Sequence, residues 1–431
     1  MKEEWAGIGD AIVGFMGSYG VPPTGMACAP GRLNLIGEHI DYCGLTVLPM
    51  AIRRSVWVAF APGDSSRVRA STSVQGLEPC QFDAGPAIEP GPPGDWGNYV
   101  KAAVRTLVEE RREPSRGLDL YIASDLPVAA GLSSSSALVV AVALAFMWVN
   151  RDSSAPRFSL DLPGRRAALA ERLAIGERFV GTAGGAMDQG ASLLGVAGHA
   201  LAMDFRPLRA QAVRFPPDWR VVVAHSGDSA EKSGAAQEAY NRLTKNASAA
   251  ADSVSAKLRD RGSVPRQNRW STDGGLASYP RLFKGTSARR LIDLAESILS
   301  EEQLRSFRHI GTEHCRVRAM LCALGDEDLT AAGDLMNASH ASLRDDLAVS
   351  TPALDSLVDR ARSAGAAGAR LTGAGMGGCA IALCHRTRVD DVLSTLRAFE
   401  DEVDAPRVGF AARPSWGARV RDVESADLSP V

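Results

Sequence analysis

The sequence predicts two α+β domains, and three features support this class. Segments with strand and helix periodicity are mixed along the chain, and the strand-like segments cluster in each half. A short segment with three prolines, 207–218, places the domain boundary between residues 1–210 and residues 211–431. With 431 residues, of which 45% are hydrophobic, the chain can bury a large core without crosslinks.

In the first half, apolar residues at helical spacing predict an amphipathic helix over 3–19. β-Branched and aromatic runs predict strands at 26–35, 47–52, 55–61, 118–122 and 200–204. The remaining predicted elements are helices at 95–111, 137–150 and 165–177, a loop rich in proline and glycine at 84–95, and a glycine-rich loop at 181–190.

The second half is predicted to begin with a strand at 219–225 and a long helix at 229–258. A polar, irregular segment at 259–286 is expected to lie on the surface. The last predicted elements are helices at 287–298, 301–324, 326–340 and 352–364, and strands at 369–371, 379–383 and 407–412.

Composition excludes several classes of function. A formal net charge of −2 gives no electrostatic reason to expect nucleic acid or a membrane as partner. Seven cysteines without C-x-x-C spacing argue against a disulfide framework or structural zinc. The longest apolar run, 137–149, is too short to span a bilayer. The first residues lack the basic and then apolar profile of a signal peptide, so we expect a cytoplasmic protein.

Four charged or titratable side chains lie within ten residues of one another near the N-terminus. They are Arg32, Glu38, His39 and Asp41, and an apolar run follows at 47–52. This pattern fits a polar binding loop held between two buried strands, and it fits an ordinary solvated turn equally well.

A run of serines precedes the most apolar helix. Gly131 allows a tight turn, and the serines that follow supply hydroxyls beside the free N–H groups of the helix N-terminus. The pattern favours an anion such as phosphate over simple N-capping. It is not a Walker A loop, because no Gly-Lys-Ser/Thr sequence follows.

Two further segments carry candidate chemistry. Glu177 and Asp188 flank a glycine-rich stretch, which suits a carboxylate for a cation and a base for a hydroxyl proton, although Asp188 could also be a solvated helix cap. The glycines within 370–379 suit a loop that approaches a ligand through its backbone. A dinucleotide fingerprint is disfavoured there, because a strand pattern follows.

The combination and order of these segments resemble the galactokinase group of the GHMP kinase superfamily. The stretch GRLNLIGEHIDYCG at 31–44 is similar to the galactokinase signature almost residue for residue. PVAAGLSSSSA at 127–137 resembles the ATP loop of the superfamily, and RLTGAGMGGC at 370–379 its third motif. The resemblance covers nearly the whole chain and implies a two-domain GHMP kinase fold, with the active site in the cleft between the N- and C-terminal domains.

The resemblance implies a role for each matching residue. Asp188 would be the catalytic carboxylate beside the sugar C1 hydroxyl, and Arg32 would polarise that hydroxyl and steady the phosphoryl group. Other residues implied to contact the sugar are Glu38, His39, Asp41, Gly185 and, on a weaker local match, Tyr240.

The resemblance also implies ATP and Mg²⁺ as cofactors. The implied ATP contacts are Trp96, Gly131, Ser133, Ser134, Ser135 and Ser136. Ser135 and Glu177 would hold Mg²⁺. Trp96 would flank the adenine, with a core tryptophan as the alternative.

The implied reaction is transfer of the ATP γ-phosphoryl group to the anomeric hydroxyl of galactose, giving α-galactose 1-phosphate and ADP. Ser136 and Cys43 depart from the commoner pattern and leave N-acetylgalactosamine open as the sugar. A non-catalytic galactose sensor is less favoured, because the segment 131–137 is uninterrupted. We expect a monomer or weak homodimer, with no nucleic acid or membrane partner.

Overall fold

The structure is a computed structural model that describes residues 7–109, 114–128, 130–152, 159–162, 164–181, 185–228, 235–260 and 275–428. These residues form helices and three sheets, so the predicted α+β class is confirmed. About half of the surface segment expected at 259–286, residues 261–274, lies outside the described residues. No helix within the described ranges is long and apolar enough to cross a bilayer.

The largest sheet has six strands: β1 (Gly25–Asn34), β2 (Pro49–Pro62), β3 (Arg67–Thr72), β4 (Cys80–Asp83), β5 (Leu118–Ser124) and β12 (Arg419–Asp422). Their order across the sheet is β12-β1-β2-β5-β3-β4, and only the β3–β5 pair is parallel. The β1–β2 register shifts between Pro30 and Arg32. Proline has no N–H for the ladder, and a bulge of this kind can re-aim a side chain.

The other sheets are smaller. One contains β8 (Trp219–His225), β9 (Gly368–Leu371), β10 (Cys379–His385) and β11 (Phe410–Ala412), in the antiparallel order β11-β8-β10-β9. A separate antiparallel hairpin is formed by β6 (His199–Asp204) and β7 (Arg209–Arg214).

The described helices are α1 (Ile8–Tyr19), α2 (Gly97–Val108), α3 (Ser134–Val149), α4 (Arg165–Gly176), α5 (Met187–Leu194), α6 (Ala235–Asp260), α7 (Tyr279–Leu282), α8 (Ala288–Glu296), α9 (Glu301–Gly325), α10 (Leu329–Asp345), α11 (Pro352–Ser363) and α12 (Val389–Glu402). Helix α3 is apolar on nearly every side and packs against β1, β2, α2 and α5. A helix with this composition is stable only when it is buried, so α3 forms the centre of the N-terminal core.

Several element boundaries differ from the predictions. The strands predicted at 47–52 and 55–61 belong to one strand, β2. Arg53 and Arg54, which lie between the two predicted strands, continue β2 with side chains that are at least partly exposed. The glycine-rich loop predicted at 181–190 contains the start of α5, so Asp188 lies in the first turn of a helix. Sequence patterns did not predict β3, β4, β7, β12 or α12.

The C-terminal strand bears on the predicted domain boundary. Strand β12 pairs with β1, in the register Gly25 to Asp422 through Cys28 to Arg419. The last described residues therefore return to the sheet of the first half, and β7 occupies half of the predicted boundary segment, 207–218. The division into domains 1–210 and 211–431 stays a prediction. Strand β12 belongs to the second half of the chain but pairs with a strand of the first half.

A loop between β1 and β2, residues 35–48, carries Glu38 and Asp41, two of the four acidic residues predicted for the site, and is called the acidic loop below. Helix α9 holds it through Glu313, whose Oε1 accepts from Gly37 N at 2.8 Å and from Ser339 Oγ at 2.8 Å. Arg316 Nε donates to Glu313 Oε2 at 2.6 Å. Burial raises the pKa of Glu313, but nearby positive charges, led by Arg316, outweigh it and lower the pKa to about 2.

We expect Glu313→Gln to lower the free energy of unfolding at pH 7 by about 3–5 kcal/mol, because it leaves the charge of Arg316 without its buried partner. Glu313 has a folded pKa below its ordinary value of 4.5, so its contribution is complete above that value and is lost as the pH falls towards about 2. The gap between wild type and variant should therefore close over that pH range in urea titrations. Asp334→Asn, at an exposed position on α10, is the control and should change stability by less than about 0.5 kcal/mol.

Candidate active site

Arg32 and Asp188 form an ion pair, although they are far apart in the sequence. Arg32 Nε lies 2.9 Å from Asp188 Oδ1 and Nη2 lies 2.7 Å from the same oxygen. Arg32 Nη1 also donates to the carbonyl of Gly131 at 2.6 Å. The side chains are 5% and 13% exposed. The predicted catalytic pair is thus assembled where β1, α5 and the loop before α3 meet.

Asp41 lies beside this pair and is buried. Burial is the largest cause that raises its pKa to about 7, and the negative charge of Asp188 adds to the effect. Gly185 packs directly against Asp41, because a Cβ there would overlap Asp41 Oδ2. The structure therefore brings Asp41, Gly185 and Asp188 together as predicted, with one carboxylate that titrates near neutral pH.

Glu38 is also buried, and one of its oxygens is engaged within the protein. Its Oε1 accepts from Gly373 N at 2.7 Å and from Thr372 Oγ1 at 3.2 Å, and Arg370 Nη2 lies 3.4 Å away. Among the described residues, the hydrogen bonds and the ion pair of this carboxylate are all made by Oε1. The other oxygen, Oε2, is therefore the one that can accept a bond from a ligand hydroxyl.

Three aromatic rings line the same loop. The His39 ring lies 5.5 Å from that of Tyr240 on α6 and 6.1 Å from that of Tyr42, measured between centroids. His39 Nε2 lies 3.1 Å from the carbonyl of Ala374, and burial lowers the pKa of His39, so the ring is neutral at pH 7. Burial raises the pKa of Tyr240, and the negative charges of Asp41 and Asp188 add to the effect.

The segment that precedes α3, residues 130–133, is called the serine loop. Ser133 has a φ of 61°, and its Oγ is buried without a hydrogen-bond partner among the described residues. Ser134 and Ser135 begin α3 and are partly exposed. Ser136 is fully buried, and Gln189 Nε2 donates to its Oγ at 3.4 Å. The Ser136 hydroxyl therefore faces the protein interior, whereas Ser134 and Ser135 are partly exposed.

The residues after β9, 372–378, approach the serine loop closely and are called the bridge loop. Gly131 has a φ of +74°, and a Cβ there would lie 2.8 Å from the carbonyl oxygen of Thr372. Gly373 has a φ of +86°, and its Cβ would lie 3.0 Å from the carbonyl oxygen of Gly131. These glycines allow two backbones of the chain to touch, and the predicted approach of this loop to a ligand stays a prediction.

The remaining predicted ATP and metal residues lie near the start of helical segments. Glu177 is buried and begins the 3₁₀ turn Glu177–Val180. Trp96 precedes α2, is partly buried, and donates from Nε1 to the carbonyl of Glu78 at 3.0 Å. No group of three or more His, Cys, Asp or Glu side chains suited to a metal occurs within the described ranges.

The sequence patterns did not identify two residues of α9 whose side chains bind the backbone of the acidic loop. His309 Nε2 lies 3.0 Å from the carbonyl oxygen of Glu38, and Glu313 binds Gly37. Both are buried on α9. The available signal was the spacing of His309 and Glu313, which places both polar side chains on one face of α9.

Three family models match this chain. The galactokinase galactose-binding signature matches residues 14–62, and the N- and C-terminal GHMP kinase models match residues 98–196 and 320–402. A galactokinase of Chloroflexus aggregans is 38% identical over 386 residues, which are 88% of this chain and 89% of that protein. The chain belongs to the galactokinase family.

Other comparisons agree with this family. A galactokinase of Roseiflexus sp. is 37% identical over 95% of this chain and 96% of that protein. The crystal structure of Lactococcus lactis galactokinase complexed with galactose superposes with a TM-score of 0.76 at 27% identity, over 95% of this chain and 98% of that chain. A mevalonate kinase structure superposes with a TM-score of 0.57 at 18% identity, over 90% of this chain and 98% of that chain, and shows the shared fold alone. The predicted GHMP kinase fold is therefore confirmed, and membership of this family makes the chain an ATP-dependent sugar kinase.

We expect Gly131→Ala to lower the melting temperature and the turnover of this family member, because its Cβ would push the serine loop away from Thr372. Gly20→Ala is the matched control, since Gly20 has a φ of +72° and no atom would lie within 4 Å of its Cβ. Both variants carry the same backbone strain, about 1–2 kcal/mol. Differential scanning fluorimetry gives the melting temperature of each variant. If Gly131→Ala and Gly20→Ala lost equal amounts of melting temperature and of turnover, the contact between Gly131 and Thr372 would have no specific role.

Proposed function

We propose that this chain transfers the γ-phosphoryl group of ATP to the anomeric hydroxyl of galactose. The observation that carries the proposal is the Arg32–Asp188 ion pair, held against the serine loop through Gly131. The pair places a carboxylate that can accept a hydroxyl proton next to a cation that can bind a phosphoryl group. The choice of galactose is supported by the relatives named galactokinase and by the solved Lactococcus lactis complex with galactose.

In the proposed mechanism the chain mainly positions and neutralises charge, as phosphoryl transfer requires. Asp188 accepts the proton of the anomeric hydroxyl as the oxygen–phosphorus bond forms. Arg32 balances the charge on the transferring group while it holds Asp188 in place. Both side chains are largely buried, so their charges act with little screening by water.

We propose that the acidic loop selects the sugar. Asp41 and Oε2 of Glu38 accept hydrogen bonds from ring hydroxyls, and His39 and Tyr240 close the side of the site. This assignment is supported by the burial of both carboxylates, by the contact of Gly185 with Asp41 and by the packing of the Tyr240 ring against that of His39. Carboxylate pairs are good acceptors for adjacent hydroxyl groups.

We propose that the serine loop holds the phosphates of ATP. Ser133 Oγ is buried without a partner among the described residues, and a phosphate oxygen would provide one. The N-terminus of α3 adds free N–H groups and a positive dipole end. Trp96 stays the proposed contact for the adenine.

The donor set also fits Mg²⁺. Ser135 supplies a hydroxyl and Glu177 a buried carboxylate, and oxygen ligands of this kind suit the ion. When bound, the ion would compensate negative charge on the phosphates.

The cytoplasmic location and the monomeric or weakly dimeric state stay predictions.

A coupled assay of ADP release across hexoses and amino sugars tests the proposed substrate. We expect galactose to give the highest kcat/KM, with glucose and N-acetylgalactosamine at least tenfold lower. A higher value for N-acetylgalactosamine would make that sugar the substrate. Binding of galactose and ATP without ADP release would indicate a sensor, and either result would overturn the proposal.

We expect Asp188→Asn to reduce kcat by a factor of about 10² to 10⁴, the range attributed to a general base. The amide cannot take the proton, and it leaves the buried charge of Arg32 without its partner, so the melting temperature should also fall and kcat is measured well below it. Asp10→Asn, on the exposed face of α1, is the control. A kcat near that of wild type would show that another group takes the proton.

We expect kcat/KM for galactose to rise with pH through about 7, because Asp41 loses its proton near that pH and the carboxylate is the stronger acceptor. At lower pH, Asp41 is protonated and cannot accept as a charged group. In Asp41→Asn, this limb of the profile should be absent, although kcat/KM is lower throughout. A limb that persists in the variant would assign the titration to a different group.

A further inference from the structure

The bridge loop contacts the proposed sugar site and the proposed nucleotide site at once. On one side, Gly373 N and Thr372 Oγ1 both donate to Glu38 Oε1, and the carbonyl of Ala374 lies 3.1 Å from His39 Nε2. Arg370, which is fully buried, precedes the loop and lies against the same carboxylate. The acidic loop is thus fixed to residues 370–374 through several polar contacts.

On its other side, the same short segment meets the serine loop. The carbonyl of Thr372 faces Gly131 so closely that a Cβ there would lie 2.8 Å from it. Cys379, which follows the bridge loop, donates from its N–H to the carbonyl of Ala130 at 3.1 Å. A displacement of the serine loop by more than a few tenths of an ångström must therefore move Thr372 or open this contact.

Thr372 is the residue that belongs to both contacts. Its hydroxyl donates to Glu38 and accepts from Asn34 N at 3.4 Å, while its backbone carbonyl lies against Gly131. The side chain is 1% exposed, so no direct approach of a ligand to this hydroxyl is open. Its effect on a reaction must pass through Glu38 on one side and the serine loop on the other.

We infer that Thr372 is a positioning residue that couples binding of the sugar at the acidic loop to binding of the nucleotide at the serine loop. The inference rests on the proposed function, because it takes those two loops as the two ligand sites. Ordering of Glu38 by a sugar hydroxyl fixes the bridge loop, and the fixed bridge loop holds the serine loop ready for phosphate. By thermodynamic linkage, the nucleotide strengthens sugar binding by the same factor.

Isothermal titration calorimetry on the full chain tests this coupling. The dissociation constant for galactose is measured with and without a saturating, non-hydrolysable ATP analogue and Mg²⁺. In the wild type, we expect the analogue to tighten galactose binding by a factor of about 5 or more, which is within the usual range of coupling between two sites. In Thr372→Val, this factor should fall to below about 2.

Thr372→Val has nearly the shape of threonine but lacks the hydroxyl, while Gly373 N and Arg370 continue to bind Glu38. Thr372→Ser keeps the hydroxyl and should retain the wild-type factor. A mainly structural role would lower the melting temperature of both variants and leave the factor unchanged in both. An unchanged factor in Thr372→Val, or an equal loss in Thr372→Ser, would overturn the inference.

The wild-type measurements separate the two proposals. A wild-type protein that phosphorylates galactose but shows no coupling overturns the inference and leaves the proposed function standing. A wild-type protein that neither binds nor phosphorylates galactose overturns the proposed function, and the inference falls with it.

Discussion

The Arg32 guanidinium joins three parts of the chain that are far apart in the sequence. It binds Asp188 on α5 and the carbonyl of Gly131 before α3, while its own strand, β1, lies between β12 and β2 in the large sheet. Little water reaches this pair, so each charge needs the other to remain ionised at acceptable cost. The same contacts that stabilise the pair also fix the relative positions of a proton acceptor and a phosphate-binding loop.

A second group of buried polar and charged side chains supports the acidic loop. Glu313 and His309 on α9 bind the backbone of the loop, and Arg370 lies against the Glu38 carboxylate. Such groups are expensive to bury, and apolar replacements of similar volume can be at least as stable. These side chains are used here because they fix the acidic loop. Hydrogen bonds to a loop backbone define its conformation more narrowly than apolar packing does.

Sequence patterns predicted most of the long, regular elements, although the 14-residue helix α12 was missed. The start of α9 follows from Ser300 with Gln303, which form a capping box, and the start of α11 from Thr351 followed by proline. Short strands with charged residues, such as β3 and β12, gave no comparable signal. Their stability comes from pairing with distant strands, so the local sequence need not show it. Helix α5 was missed because glycines dominate the segment before it.

The sequence by itself determined the chemistry available at the site. Arg32, Glu38 and Asp188 were identified from motifs and their order, because the residue types that bind and transfer a phosphoryl group are few. Only the tertiary structure decided how each is used. It directs one oxygen of Glu38 to the bridge loop, buries the Ser136 hydroxyl, and raises the pKa of Asp41 to about 7. These properties depend on desolvation and on distances between segments far apart in the chain, which no local pattern encodes.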